Sequence, residues 1–413
     1  MKKRLSFLLC FMITFYLLQA GGFRVSLQGI RQAAMAHTSA HTRDASVVFF
    51  NPAGMSFIPS KLSITGGMFA VITKAEFQSV NSLYKAKTDN PVSPPFNFAA
   101  AYKATDNLSV GLSVSTPYGS SVDWGKDWMG KNLITKIKLE AFFIQPTVAY
   151  KITDWFSIGG GYIFATASAN LEKAISNING SMKLKAGGAP GYGYNLGMYF
   201  RPTKELDVGI SYRSEVKIKA RKGNVYLHIP SSLIGTDKFA TTTDRFDTNI
   251  PLASELTLGL TYKISKSWSI SSDWNFSGWH EYKDLTFKFY QNKIGNDPHN
   301  PTISSSPRKF KNSSAYRIGT EYSPSDKLAF RLGYYYDESP VKDEYWNPET
   351  PSTDNQAITG GLGYKLTDNL YIDLSGIYFV GESRNIDNEN AGFYGQVKSS
   401  SYMVGLGLSW NAF

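Results

Sequence analysis

Cysteine is almost missing from this chain: the single residue among 413 is Cys10, so nothing downstream of it can form a disulfide, an iron–sulfur cluster or a thiol nucleophile. Long apolar runs are missing too. After a stretch from Leu5 to Leu18, no segment approaches the roughly 20 apolar residues that a helix needs to cross a bilayer core of about 30 Å, which excludes a helical membrane protein. Histidine is scarce, with five in all, and no Gly-x-Ser-x-Gly elbow occurs. His37 and His41 fall in an N-terminal segment, His228 and His299 in loops and His280 at a strand end, so none is placed to serve a serine as base. An enzyme is not expected. His37 and His41 have helical spacing but no accompanying carboxylate constellation, so neither a metal site nor a cofactor is expected.

What the N-terminus does have is Lys2, Lys3 and Arg4 ahead of the apolar run and Ala20 behind it, the order of a secretory signal peptide over residues 1–20. Cys10 lies inside that signal, too far from the cleavage point to carry a lipid. The three basic residues account for three of the formal charge of +10, leaving +7 for the remainder. That surplus is spread through every segment, and an exported chain meets little nucleic acid. The expected anionic partners are therefore phosphorylated surface lipid, such as lipopolysaccharide, or an anionic substrate, with no nucleic acid.

Aromatic and small residues are plentiful: 25 Tyr, 26 Phe and 36 Gly in a chain whose mean hydropathy is only −0.24. The composition suits strands with an aromatic outer face and a polar inner one. One turn chemistry recurs six times, in YKATDNLSVG from Tyr102, YKITDWFSIG from Tyr150, RPTKELDVGISY from Arg201, YKISKSWSI from Tyr262, YSPSDKLAFRLGY from Tyr322 and YKLTDNLYIDL from Tyr364. Each places Asp, Asn, Ser or Pro where a tight turn needs them and returns to an aromatic or Leu. Adding a first strand near Lys61 to Lys74 and a last from Val397 to Phe413 predicts an all-β fold. It is a transmembrane antiparallel β-barrel of about 14 strands over residues 60–413, with both termini on the short-turn side.

The alternate side is predicted to carry long loops, near Gln78–Pro95, Ser120–Thr135, Lys173–Ala189, Arg221–Phe246, Glu281–Lys311, Glu338–Gln356 and Glu382–Gly395. Period-two alternation supports the wall. Leu328, Phe330, Leu332, Tyr334 and Tyr336 share one phase, with Arg331 and Asp337 in the other. Trp268, Ile270, Trp274 and Phe276 oppose Ser271, Asp273 and Asn275. Val208, Ile210, Tyr212, Val216 and Ile218 are read as outward, with Arg213, Glu215, Lys217 and Lys219 inward. Tyr102, Tyr150, Trp155, Tyr262, Trp268 and Tyr364 cluster beside the short turns as an interfacial girdle. Val404, Leu406, Leu408 and Trp410 are out of phase with the terminal Phe413, which a late bulge would reconcile.

Residues 21–59 fit neither strand nor turn. They are rich in Ala and Ser, carry Arg24, Arg31, Arg43 and Asp44, and close on Asn51-Pro52-Ala53-Gly54, where proline fixes φ. This segment reads as a plug inside the lumen. With Gly22-Phe23 near its start and Asp44-Ala45 and Asn51-Pro52-Ala53 before the first strand, it resembles the hatch of the FadL/TodX transporters, outer-membrane proteins that import long-chain fatty acids and hydrophobic compounds. Thr116-Pro117-Tyr118-Gly119 with Trp124, Gly191 to Gly197 and Val208 to Ser214 resemble the same family.

The resemblance implies a bacterial outer-membrane transporter for a hydrophobic small molecule; a monomer is expected, and the terminal aromatic Phe413 is typical of barrels inserted by the outer-membrane assembly machinery. It implies a hatch or gate at Asn51, Pro52, Ala53 and Gly54. It further implies an inward kink of the third strand at Pro117, Tyr118 and Gly119, with a lateral opening beside it. Proline withholds a ladder donor and glycine weakens a strand, so that stretch can lose pairing, or simply end the strand. Asn51, with both amide atoms free to bond backbone, suits a gatepost. A carboxylate cargo would need lumenal cations, and Arg213, Arg317 and Arg331 pass the phase test, with Glu321, Asp273 and Asp373 as neutralising partners. In the fourth long loop, Leu227, Ile229, Leu233 and Ile234 are candidates for cargo capture, the last three on one face of a short helix after Pro230. The residues leave open a gated general porin, a structural or adhesive protein and, after these, a lipid-processing enzyme.

Overall fold

The computed structural model describes residues 22–80, 82–381 and 383–412; the signal segment expected over residues 1–20, Gly21 and the terminal Phe413 lie outside them. Fourteen staves form the wall: β1 (Leu62–Ser79), β2 (Phe96–Lys103), β3 (Leu108–Asp123), β4 (Lys136–Thr153), β5 (Phe156–Ala174), β6 (Ser181–Phe200), β7 in two pieces (Leu206–Arg213 and Val216–His228), β8 in two pieces (Thr243–Leu252 and Ser254–Lys263), β9 (Trp268–Gly278), β10 (Ser313–Tyr322), β11 (Leu328–Asp337), β12 (Asn355–Lys365), β13 (Leu370–Gly381) and β14 (Phe393–Ala412). All neighbours are antiparallel. The sheet closes where β1 pairs with β14 along its whole length, from Leu62 opposite Ala412 to Ser79 opposite Gly395. Closure leaves neither the first nor the last stave with a free edge, as crossing a bilayer with strands requires.

All six expected short turns join consecutive staves, and Leu62 lies beside both Tyr102 and Ala412, so the chain enters and leaves the wall at the short-turn end. Outward phases hold where the apolar band lies: Phe330, Leu332 and Tyr334 are exposed while Arg331, Tyr335 and Asp337 are buried. Val404, Leu406, Leu408 and Trp410 are outward as well.

Two expectations fail at the outer end. Several predicted loops are continuations of the wall: β5 and β6 run to Ala174 and from Ser181, leaving six residues between them, and β7 runs on to His228. Phase also flips inside β7, because the ladder breaks between Arg213 and Val216, where the Ser214 N–H donates to the Tyr194 carbonyl at 2.9 Å and the Tyr194 N–H to Ser214 Oγ at 2.9 Å. A one-residue slip exchanges the faces of a strand. Val216 and Ile218 are therefore buried inside, and Lys217 and Lys219 point out.

Candidate functional site

Residues 22–59 pack against inward-facing wall residues. A short helix, α1 (Ile30–Ala34), is followed by α2 (Val47–Phe50) and a 3-10 turn, Pro52–Phe57. Small residues make this packing possible on both sides. Ala33, Ala34 and Ala36 are fully buried. Facing them the wall offers glycines: a methyl group on Gly67 or Gly407 would strike Ile30, on Gly319 Met35, on Gly333 Ala36, on Gly361 Ala34, and on Gly197 Asn51.

Charge fastens the segment. Arg24 Nη1 lies 3.0 Å from Glu255 on β8 and Nη2 lies 2.7 Å from Asp337 on β11. Arg31 donates to both oxygens of Glu321 on β10, at 2.9 and 3.1 Å, and Arg331 bonds the same carboxylate at 2.7 Å and Asp373 at 2.5 Å. The Ser39 N–H donates to Asp273 Oδ2 at 2.9 Å. Glu321, Asp273 and Asp373 thus supply carboxylates to this network. The three lumenal arginines are engaged in it: Arg213 donates to the Phe49 carbonyl at 2.6 Å and stacks over the Phe49 ring at 4.1 Å, and Arg317 donates to the carbonyl of Ala36 at 3.1 Å and to Ser26 Oγ at 3.2 Å. Neither Arg317 nor Arg331 lines the large cavity described below.

Pro52 occupies the first position of its 3-10 turn, and Asn51 caps it: Oδ1 accepts from the Ala53 N–H at 3.1 Å. The other amide atom, Nδ2, donates to the carbonyls of Met198 on β6 at 2.9 Å and Ile210 on β7 at 3.2 Å. Ser157 Oγ holds the Ala53 carbonyl at 2.8 Å, and Gly54 packs on Val47. Asn51 therefore bridges segment to wall through both amide atoms. It does not face the third strand, because Gly119 meets Val25 and the Leu139 carbonyl instead.

At β3 the ladder is interrupted. Pairing of β2 with β3 ends at Asn97 opposite Ser115, and the β3–β4 register shifts between Ser115 and Tyr118. Across the parting Thr116 Oγ1 accepts from the Phe96 N–H at 3.1 Å and donates to the Phe96 carbonyl at 3.2 Å, and the two sides meet again where the Asp89 N–H donates to the Asp123 carbonyl at 2.8 Å. The freed edge of β3 is taken up by the N-terminal segment, whose Val25 N–H donates to the Pro117 carbonyl at 2.8 Å while the Gly119 N–H donates to the Phe23 carbonyl at 3.0 Å. A proline with no N–H to offer is suited to this place. Tyr118 turns inward, 2 % exposed, and its hydroxyl donates to the Ala253 carbonyl at 2.9 Å.

A cavity of about 430 Å³ lies beside the parting. Its lining passes through the wall: Tyr335, Phe379 and Met403 belong to the lumenal side, Lys138, Glu140 and Phe142 to the outward side of β4, with Thr116 to Val122 and Pro91 to Phe96 as jambs. Arg24 and Asp337 form its polar end. A smaller cavity of about 60 Å³ under the outer loops, lined by Ile218, Phe246, Leu285 and Phe287, shares Phe23, Ser120, Leu139 and Thr350 with it. Phe23 packs edge-on against Trp279 at 4.9 Å and Tyr118 at 6.0 Å. The part played by Phe23, Arg24 and Val25 has no local signature, since their partners lie around a hundred residues or more away.

In the fourth loop the expected helix is a single 3-10 turn, Ser231–Leu233, capped by Ile234 and followed by Gly235 at φ 81. Leu227 lies on β7 and is buried; Ile229 and Leu233 pack on the same core, and Ile234 is exposed.

An even-numbered, closed antiparallel barrel with an apolar outer band, polar groups within and both ends at the short turns is a bacterial outer-membrane barrel. The chain belongs to the outer membrane protein transport protein family (OMPP1/FadL/TodX), whose model matches residues 12–411. It is similar to the 47 kDa outer membrane protein of Pasteurella multocida, 25 % identical over 408 residues covering 94 % of this chain and 92 % of the relative. A long-chain fatty acid transport protein of Escherichia coli is 22 % identical over 398 residues, covering 87 % of this chain and 84 % of the other. Its fold matches the crystal structure of a Pseudomonas aeruginosa FadL homologue with a TM-score of 0.84 at 18 % identity, over 95 % of this chain and all of that one. The protein is thus an outer-membrane protein of a family that transports hydrophobic compounds.

Proposed function

We propose that this chain imports long-chain fatty acids or comparably apolar small molecules, and that it is not an enzyme. Cargo is gathered at the outer loops, where Ile234 and the half-buried Ile229 and Leu233 offer apolar surface above Leu227. It occupies the lumenal cavity and leaves sideways into the bilayer between Pro91–Phe96 and Pro117–Gly119. The N-terminal segment, seated through Asn51, Pro52, Ala53 and Gly54, is the hatch that denies an axial path. Arg213, Arg317 and Arg331 hold that hatch.

One observation carries this reading: a mostly apolar cavity whose lining includes both lumenal and lipid-side residues at the one parting of the β2–β3 seam. Its volume falls within the roughly 300–1,000 Å³ of small-molecule sites. Sideways release also follows from solvation, since an apolar chain passing into water loses about 0.8 kcal/mol per CH₂.

The test is uptake of labelled palmitate by cells that depend on this protein. Gly119→Arg puts a long side chain into the parting, where a Cβ has room except for the Leu139 carbonyl at 3.2 Å. Uptake should fall at least tenfold while the purified variant still binds palmitate. Unimpaired uptake by a correctly folded variant would show that cargo runs down the barrel axis.

A further inference from the structure

The outer face of the barrel changes chemistry abruptly along β6 and β7. Its outward tyrosines, Tyr192, Tyr194 and Tyr212, are exposed to the lipid side. Rings of this kind settle at head-group level. Immediately toward the loops, the same outward face carries Lys185 on β6, Lys217, Lys219, Arg221 and Lys222 on β7, and Arg245 on β8, all exposed. Their alternate neighbours Leu184, Val216, Ile218 and Phe246 are buried inside, which fixes the cations outward.

Register gathers them. Asn224 lies opposite Lys185 on one side and Arg245 on the other, and Lys219 lies opposite Asn249. Lys217, Lys219 and Arg221 occupy successive outward positions of one strand, so three like charges stand at roughly 7 Å intervals. Compensation is thin. Glu215 is 3.9 Å from Lys217 and Asp247 is 4.0 Å from Arg221, both at the limit of an ion pair. Among the described residues the side chains of Lys185, Lys219 and Lys222 have no carboxylate partner. Near the outer ends of β11, β12 and β13 the outward side chains are neutral, with Tyr334 donating to Gln356 at 2.6 Å and Tyr378 beyond them, whereas the exposed Lys87 and Lys398 beside β1 have Glu76 among them.

We propose that this flank is a binding surface for the phosphates of lipopolysaccharide in the outer leaflet. A row of like charges held by rigid strands is relieved by a polyanion. Each cation beside an anionic membrane surface contributes independently of the others. The source is lipid rather than free phosphate because the row stands directly above the tyrosines that mark the head-group plane, where phosphates are concentrated in two dimensions. The patch touches neither cavity, so this binding stands apart from the transport route.

The test uses the full-length protein purified in a non-ionic detergent, with lipopolysaccharide, its enzymatically dephosphorylated form and inorganic phosphate as probes. The triple variant Lys217→Gln, Lys219→Gln, Arg221→Gln is compared with Lys61→Gln, Lys266→Gln, Lys327→Gln, which removes the same charge from exposed positions at the short-turn end. Heat-modifiable gel mobility checks that each barrel is closed. The first triple should weaken lipopolysaccharide binding on the order of a hundredfold and the second should not. Dephosphorylated lipid should bind wild type no better than it binds the first triple. Equal losses in both triples, undiminished binding of dephosphorylated lipid, or full competition by millimolar inorganic phosphate would each overturn the assignment.

Discussion

Arg24 and Asp337 are 313 positions apart in the chain and 2.7 Å apart in the structure, and their pair stands at the polar end of the cavity. The same two backbone hydrogen bonds that dock Phe23 and Val25 on β3 bring the guanidinium there. The N-terminal segment, the cavity and the parting therefore share contacts. Asp337→Asn leaves Arg24 with Glu255 alone. Removing one partner of a buried pair costs about 3–5 kcal/mol, and the cost should fall on seating of residues 22–27 rather than on the ladder. Hydrogen exchange at Val25 and Gly119 should quicken at least tenfold while heat-modifiable mobility stays unchanged. Unaltered exchange would place the fastening elsewhere.

Deletion of residues 22–50 should leave a closed barrel, because neither the β1–β14 ladder nor any ladder between neighbouring staves from β4 to β14 uses the segment. Planar-bilayer conductance should rise to that of an open pore, water solvating Asp273 and the side of Glu321 that Arg31 leaves. Conductance equal to that of the intact protein would mean that the segment does not block the lumen.

Val25→Cys with Gly119→Cys should form a disulfide on mild oxidation, since a Cβ on Gly119 lies 3.9 Å from Val25 Cγ2. Cys10 is the single native cysteine. The bond would pin the hatch to the parting, and palmitate uptake should stop and recover on reduction. Cysteines at Gly119 and Asn51 should not join, because Asn51 binds β6 and β7.

Arg331→Gln should lower thermal stability, leaving Asp373 and part of Glu321 as unpaired buried acids, and should weaken binding of a fatty acid and of an equally long hydrocarbon alike. A selective loss for the acid would make Arg331 a ligand for the cargo carboxylate.

Acid should loosen the hatch. Burial, reinforced by nearby Arg317, Arg24 and Arg213 for His37 and by Arg31 for His41, holds both imidazoles well below the ordinary value of 6.5, with Glu321 partly opposing it at His41. The released segment would bind protons near 6.5 and the seated one only at lower pH. Seating is thus at full strength above about 6.5 and weakens as pH falls below it. Conductance recorded at pH 7.5 and 5.0 should rise in acid. His37→Gln together with His41→Gln should flatten the profile, and an unchanged slope would assign the pH response to other groups.

Much of the wall was legible because its signals are local. A turn such as Ala104–Asn107 is written in four adjacent residues, and alternation in β9 and β11 follows from lipid on one face and water-filled or polar lumen on the other. Above the bilayer that rule inverts. There the core lies under the loops, so Ile218 turns in and Lys219 out, and an apolar-outward rule misreads the strand. The parting at Pro117 was legible as a weak point, but its occupant was not. Phe23 to Val25 meets β3 by backbone bonds across some ninety residues, and such pairing leaves no composition or spacing to read.

The glycines facing residues 30–51 amount to a mould. Gly67, Gly319, Gly333, Gly361 and Gly407 sit on five different staves, and each marks a spot where the enclosed segment bulges. The outline of the insert is thus recorded in the casing as well as in the insert's own residues. A hatch grafted from a relative would meet a casting made for another shape, so an exchange of hatches between family members has to carry the matching wall glycines with it. Conversely, a single methyl at Gly333 should eject the segment from a chain otherwise intact.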